Sequence, residues 1–283
     1  MYSSVDVARP TESSAKNVHL GLFASARQYG LTIHEQLRNE APLLTDRSPR
    51  KIIVLFDIDG TLLYTGGAGS RALNNVFRQQ YGIDDAFYGI RPHGMTDPAI
   101  LRQMIHNHLD REPEAGEIDG LAEVYCDLLE EELRIAPGFT VLPGAVDLLE
   151  CLGDIESVLL GLSTGNLSRT ADLKLRHVGL ETTFSFGGFG SDSEDRCVLT
   201  RTALNRGRLL ASDASAPGIV IGDTIHDVRA GLAAGARCLG VMTSGTSRQV
   251  FEEGGAHLVL EDLTDQDSIL EFLLACTNPS QRT

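Results

Sequence analysis

The run Lys51–Thr61, KIIVLFDIDGT, decides how this chain is read. After one lysine come four aliphatic residues and a phenylalanine, with no polar residue in alternation. Such a run, closed by Asp and Gly, predicts a strand buried on both faces, as in a parallel sheet. Similar runs recur at SVLLGLST (157–164), TFSFGGFG (183–190), GIVIGD (218–223), RCLGVMTS (237–244) and AHLVLED (256–262). Helical patterns such as LSRTADLKLRHVGL and TIHDVRAGLAAGA lie between them. Strands alternating with helices predict an α/β fold, a doubly wound parallel sheet.

Residues 65–142 break the rhythm. SRALNNVFRQQYG, DPAILRQMIHNHL and GLAEVYCDLLEEELR all carry apolar residues at helical spacing, and no strand is expected among them. This is a helical insertion after the first strand. It holds 13 acidic residues against 6 arginines, so its outer face is negative. The core is then 51–64 together with 143–283. Residues 1–50 begin Ser-rich and polar, carry no recognisable chemistry and read as a loosely ordered extension.

Over 283 residues, 24 basic and 39 acidic side chains leave a formal charge of −15. That balance argues against nucleic acid and an anionic membrane surface as partners, since both need a basic face. No apolar run approaches the roughly 18 residues of a membrane span, and the first ten residues show no signal pattern. The five cysteines, at 126, 151, 197, 238 and 276, form no CxxC pair. They read as separate thiols in a reducing compartment, which points to the cytoplasm. The oligomeric state is not legible.

The chemistry gathers where the strands end. Ligands of open α/β sheets bind at the carboxyl ends of the strands. The first strand ends there in Asp57-Ile58-Asp59-Gly60-Thr61. Two carboxylates two residues apart repel, and a divalent cation relieves them. Asp57 is then free to act as a nucleophile and Asp59 as an acid/base. Gly60 lets backbone N–H groups approach an anion. The strand GIVIGD delivers a second pair, Asp223 and Asp227, to the same edge. Oxygen ligands of this kind suit a hard cation, magnesium above all. The strand SVLLGLST ends in Ser163-Thr164-Gly165-Asn166, a hydroxyl beside Gly at a strand-to-helix turn, which suits a phosphate oxygen. Each motif alone also fits an ordinary turn or helix cap.

Together, Asp57-x-Asp59-Gly-Thr, Thr164 and Gly-Asp223-x-x-x-Asp227 resemble motifs I, II and IV of the haloacid dehalogenase superfamily, over residues 51–265. The resemblance implies a Rossmann-like core, essential magnesium and an aspartyl-phosphate intermediate, with 65–142 as a helical cap of the C1 type. It implies Asp57 as nucleophile and magnesium ligand. Asp59 would be the acid/base, with its carbonyl on the metal. Thr164 would bind the phosphoryl group, Asp223 would ligate the metal and Asp227 would support it. Gly60, Thr61, Gly165 and Asn166 are the further substrate-binding candidates. The substrate would be a small phosphorylated metabolite.

The family's third motif is a lysine some thirty residues after the second. Here that spacing lands on Arg196, in SDSEDRCVL. Only Lys16, Lys51 and Lys174 are lysines, and Lys174 lies about seven residues into the helix after Thr164. That is roughly 10 Å down the helix axis, so the side chain is expected to reach back only in part. We lean to Arg196 and keep Lys174 as the second candidate. Arg196 could instead pair with Asp192, Glu194 or Asp195, and Lys174 could be a surface residue.

Asp59 disfavours a dehalogenase, and a cap without lysine disfavours a phosphonatase. The leading reading is a phosphomonoester hydrolase. A sugar phosphomutase, a nucleotidase and a catalytically silent binding member stay open. Gly94-Met95-Thr96-Asp97-Pro98 resembles the cap hinge of phosphoglycolate phosphatase-like members. A carboxylated substrate would need a cation nearby, and Arg91, His93 and Arg102 are the candidates. Thr96-Asp97-Pro98 equally fits a helix N-terminus.

Overall fold

The computed structural model describes residues 50–277. The extension expected over 1–50 falls outside them, save for Arg50. Six parallel strands form one sheet: β1 (Ile52–Phe56), β4 (Val158–Ser163), β5 (Phe186–Gly188), β6 (Gly218–Gly222), β7 (Arg237–Val241) and β8 (Leu258–Leu260). Their order is β5-β4-β1-β6-β7-β8. All five residues of β1 are buried, because the strand lies between β4 and β6, with Ile53 facing Leu159 on one side and Gly218 on the other. Burying each such side chain contributes about 1.5–3 kcal/mol before entropy is charged against it.

Helices α4 (Ala145–Gly153), α5 (Ser168–Arg176), α6 (Arg196–Leu210), α7 (Ile225–Ala233), α8 (Arg248–Glu253) and α9 (Gln266–Thr277) connect or follow these strands. After β1 the chain adds β4 and β5 on one side, then returns to add β6, β7 and β8 on the other. The direction of winding therefore switches between β1 and β6. Crevices open at the carboxyl ends of such a strand pair.

The insertion folds as three helices, α1 (Ala68–Tyr81), α2 (Asp97–Leu109) and α3 (Glu117–Ile135). They bury an apolar cluster of their own that includes Leu73, Phe77, Leu101, Met104 and Leu129, and Leu173 of α5 joins it from the sheet side. One expectation fails here. The stretch 65–142 is not free of strand: β2 (Leu63–Thr65) pairs antiparallel with β3 (Phe139–Val141) where the chain leaves and re-enters the core. Three-residue strands are too short to show alternation, so periodicity passes over them. Gly66 is required beside this ribbon. Its φ is +59°, and a Cβ there would lie 2.2 Å from the Pro137 carbonyl. No helix among the described residues is long and apolar enough to cross a membrane.

Candidate active site

Asp57 and Asp223 stand just beyond the carboxyl ends of β1 and β6. The Asp57 N–H donates to the Ile221 carbonyl at 3.0 Å, which locks the two strand ends together. The buried Thr61 hydroxyl donates to Asp223 Oδ1 at 3.0 Å. Gly60 has φ +82°, and a Cβ there would fall 2.4 Å from Asp223 Oδ2. The glycine is needed because the loop packs directly on that carboxylate. Asp227 closes a capping box at the start of α7: its Oδ2 accepts from the Thr224 N–H at 3.0 Å and the Thr224 hydroxyl at 2.6 Å.

The carboxylates of Asp57, Asp223 and Asp227 are all buried, with oxygens within 4.8 Å of one another. Burial pushes the Asp57 carboxyl up to about 6; Arg196 opposes the shift, and Asp227 and Asp59 add to it. Burial likewise drives Asp223 up to about 8, reinforced by Asp227 and Asp57. Two hard oxygen donors, Asp57 and Asp223, that resist ionising together make a fitting seat for magnesium, with Asp227 beside them. The Asp59 side chain is not part of this trio and turns to the other wall.

There Lys174 Nζ donates to Asp59 Oδ2 at 2.6 Å and also to Asn166 Oδ1. Asn166 Nδ2 in turn donates to Asp59 Oδ2 and to Thr164 Oγ1, each at 2.7 Å. Thr164, Asn166 and Lys174 are all buried. The expectation that Lys174 reaches back only in part is therefore wrong. Helical side chains lean toward the helix N-terminus, and the extended lysine stem covers the remaining distance.

Arg196 opens α6 behind its cap Asp195. Its NH2 atom lies 2.7 Å from Asp57 Oδ2 and 2.5 Å from Asp227 Oδ1. The pairings that would have made it a surface residue are taken up elsewhere. Asp192 holds Arg206, Glu194 holds Arg102, and Asp195 accepts from the Cys197 N–H. Both third-motif candidates thus reach the site, each on a different carboxylate.

Asp57, Asp223, Lys174 and Arg196 line one cavity of about 450 Å³ that the insertion roofs with Leu73, Phe87, Met95, Ile100 and Tyr125. Gly60, Gly165, Asn166, Asp59 and Thr164 face it too. Of the three proposed carboxylate-binding cations, only His93 lines it, as an exposed residue. Arg91 is exposed outside it, and Arg102 is held by Glu194 and Glu112. Two cavity residues escape a reading by motif. In Thr96-Asp97-Pro98 the cap is Thr96, whose hydroxyl accepts from the Ala99 N–H. The buried Asp97 instead accepts from the Leu167 N–H at 2.9 Å and the Thr170 hydroxyl at 2.8 Å, tying α2 to the loop after Thr164. Tyr125 belongs to the apolar stripe of α3, and its spacing is that of any core residue.

Residues 54–262 match the family described as haloacid dehalogenase-like hydrolases. A phosphoglycolate phosphatase of Pseudomonas savastanoi pv. phaseolicola is 26% identical over 216 residues, covering 75% of this chain and 76% of the relative. Two solved structures share the fold. A hydrolase from Pseudomonas syringae superposes with a TM-score of 0.58 at 23% identity, over 79% of this chain and 99% of that one. CbbY from Rhodobacter sphaeroides, solved in complex with phosphate, does so with a TM-score of 0.59 at 18% identity, over 75% and 95%. With nearly three quarters of its length inside the match, the chain belongs to the haloacid dehalogenase-like hydrolase family, as an enzyme of its phosphatase type.

Proposed function

We propose that this enzyme hydrolyses phosphomonoesters of small metabolites with magnesium, through a phosphoryl group carried on Asp57. The observation that carries the reading is the buried trio Asp57, Asp223 and Asp227, of which Asp57 and Asp223 line one cavity together with Asp59. Asp57 and Asp223 would hold the magnesium, together with the Asp59 carbonyl that the family resemblance implies. Both Asp227 oxygens already serve Thr224 and Arg196, so Asp227 acts by orienting that cap and that cation. Bound magnesium supplies positive charge against the transferring phosphoryl group.

In the first step an Asp57 carboxylate oxygen bonds to phosphorus and the bond to the ester oxygen breaks. Asp59 gives its proton to the departing alcohol oxygen. In the second step water attacks the phosphorus, Asp59 takes the water's proton, and the bond to Asp57 breaks to release phosphate. Thr164, Asn166, Gly165 and the Gly60–Thr61 turn bind the phosphoryl oxygens. Arg196 steadies the charge on Asp57, and Lys174 orients Asp59. Residues 65–142 act as the cap over a core of 51–64 and 143–283, and the enzyme works in the cytoplasm on soluble substrates.

The test is magnesium-dependent phosphate release from phosphoglycolate, sugar phosphates, nucleoside monophosphates and p-nitrophenyl phosphate, with Asp57→Asn as blank. Metal-dependent release that Asp57→Asn abolishes is expected. Magnesium binding without release from any ester would sink the reading and favour a mutase or a silent binding protein.

A further inference from the structure

The roof of the cavity has a chemistry that the phosphoryl site does not explain. The charged groups lining the cavity are Asp57, Asp59, Asp97, Asp223, Lys174 and Arg196, with His93 as a further titratable group. Lys174 is already engaged by Asp59, and Arg196 by Asp57 and Asp227. The roof over them is Leu73, Phe87, Met95, Ile100 and Tyr125. Apart from the exposed His93, the insertion brings no basic side chain to this cavity among the described residues. A substrate carboxylate lodged under this roof would be desolvated opposite apolar side chains with no unengaged lysine or arginine beside it, which is unfavourable for a full charge.

Among the hydroxyl groups that the insertion brings to the cavity are those of Thr65, Ser70 and Tyr125, and the Ser70 hydroxyl donates to the Gly67 carbonyl. Tyr125 is 2% exposed, and no described residue takes or gives a hydrogen bond at its hydroxyl, although it lines the cavity. The hydroxyl sits over Gly69, where an added Cβ would lie 3.3 Å away. Burial and the nearby carboxylates of Asp97 and Asp59 hold the phenol well above its ordinary value of 10.0, so it is neutral. A neutral phenol in an apolar roof offers one donor and one acceptor, and both suit an alcohol. A buried polar group of this kind discriminates strongly, because an analogue lacking the matching hydroxyl leaves it unpaired.

Resting on the phosphatase reading above, we propose that the cavity selects phosphomonoesters whose alcohol part is uncharged, with a hydroxyl that pairs with Tyr125. A small polyol phosphate fits this description and phosphoglycolate does not. The inference departs from what the name of the Pseudomonas savastanoi relative suggests.

Three two-carbon esters test it: 2-hydroxyethyl phosphate, ethyl phosphate and phosphoglycolate, with p-nitrophenyl phosphate as a general reporter. In the wild type, kcat/KM for 2-hydroxyethyl phosphate should exceed that for phosphoglycolate by about tenfold or more. In Tyr125→Phe, which conserves the ring, the ratio of 2-hydroxyethyl to ethyl phosphate should fall by about five- to tenfold, chiefly through KM. Met95→Lys, at a half-buried roof position, should raise phosphoglycolate relative to 2-hydroxyethyl phosphate. Phosphoglycolate turned over as well as the hydroxyl ester overturns the proposal, and loss of that activity in His93→Ala would then locate its cation. A hydroxyethyl-to-ethyl ratio indifferent to Tyr125→Phe also overturns it. Absence of release from every ester, p-nitrophenyl phosphate included, removes the phosphatase reading itself and the proposal with it. Should Tyr125→Phe fail to fold, the wild-type ranking of the three esters decides alone.

Discussion

Lys174 Nζ lies 2.6 Å from Asp59 Oδ2 and shares Asn166 with it, so the proposed acid/base is held from a helix that begins beyond the phosphate-binding turn. Lys174→Met keeps the stem and removes the charge. Asp59 then loses its fixed orientation, and turnover of alkyl phosphates should fall by about a hundredfold. p-Nitrophenyl phosphate, whose leaving group needs little protonation, should lose much less. Equal losses on both esters would show that Lys174 acts on the phosphoryl group instead of on Asp59.

Arg196 bridges Asp57 and Asp227 while almost fully buried. Removing the cation strands two buried carboxylates, a change that costs about 3–5 kcal/mol where one partner of a buried pair is lost. Arg196→Ala should therefore lower the urea midpoint markedly in EDTA, and saturating magnesium should restore part of the loss. A midpoint unchanged from wild type would mean that the bridge contributes nothing to stability.

The pH dependence follows from Asp223, whose carboxyl burial raises from 3.8 to about 8. Between those values the unfolded chain has released the proton that the folded chain still holds. Apo stability therefore declines as pH rises across that window. Asp223→Asn removes this titration while keeping an oxygen for Thr61. In EDTA the variant should melt above wild type at pH 8, and the difference should shrink toward pH 5. With magnesium, wild type should gain Tm at pH 8 and the variant should not. A constant difference across pH would contradict the assignment.

Gly60 faces Asp223 at positive φ. Gly60→Ala adds a strained backbone, about 1–3 kcal/mol, and a methyl against a carboxylate oxygen. Magnesium affinity, read by calorimetry, should drop by about tenfold or more, the response expected when the group that orients a metal ligand is displaced. An affinity equal to wild type would show that the loop relaxes without moving Asp223.

Much of the site is legible because it lies on local signals. A strand buried on both faces needs a continuous apolar run, and the sheet places Asp57, Thr164 and Asp223 at the ends of such runs. The capping box of Thr224 and Asp227 is likewise a matter of spacing. The β2–β3 ribbon is not legible, because three residues carry no period and each strand is defined only by its partner 78 residues away in the pairing of Leu63 with Val141. Nor is Asp97, whose place in a helix N-terminus conceals that it accepts from Leu167 and Thr170 of the core.

By itself the sequence determined the α/β alternation, the helical insertion after the first strand and the carboxylates at the strand ends, since each follows from hydrophobic period or residue spacing. Only the tertiary structure gave each of the two cations its partners, Asp59 for Lys174 and Asp57 with Asp227 for Arg196, and left Arg91 and Arg102 out of the cavity lining. It alone set the Tyr125 hydroxyl in the roof. Such pairings join residues far apart in the chain, as Lys174 and Asp59 are. Their distances depend on how helices dock on the sheet, and one-dimensional spacing carries no term for that docking.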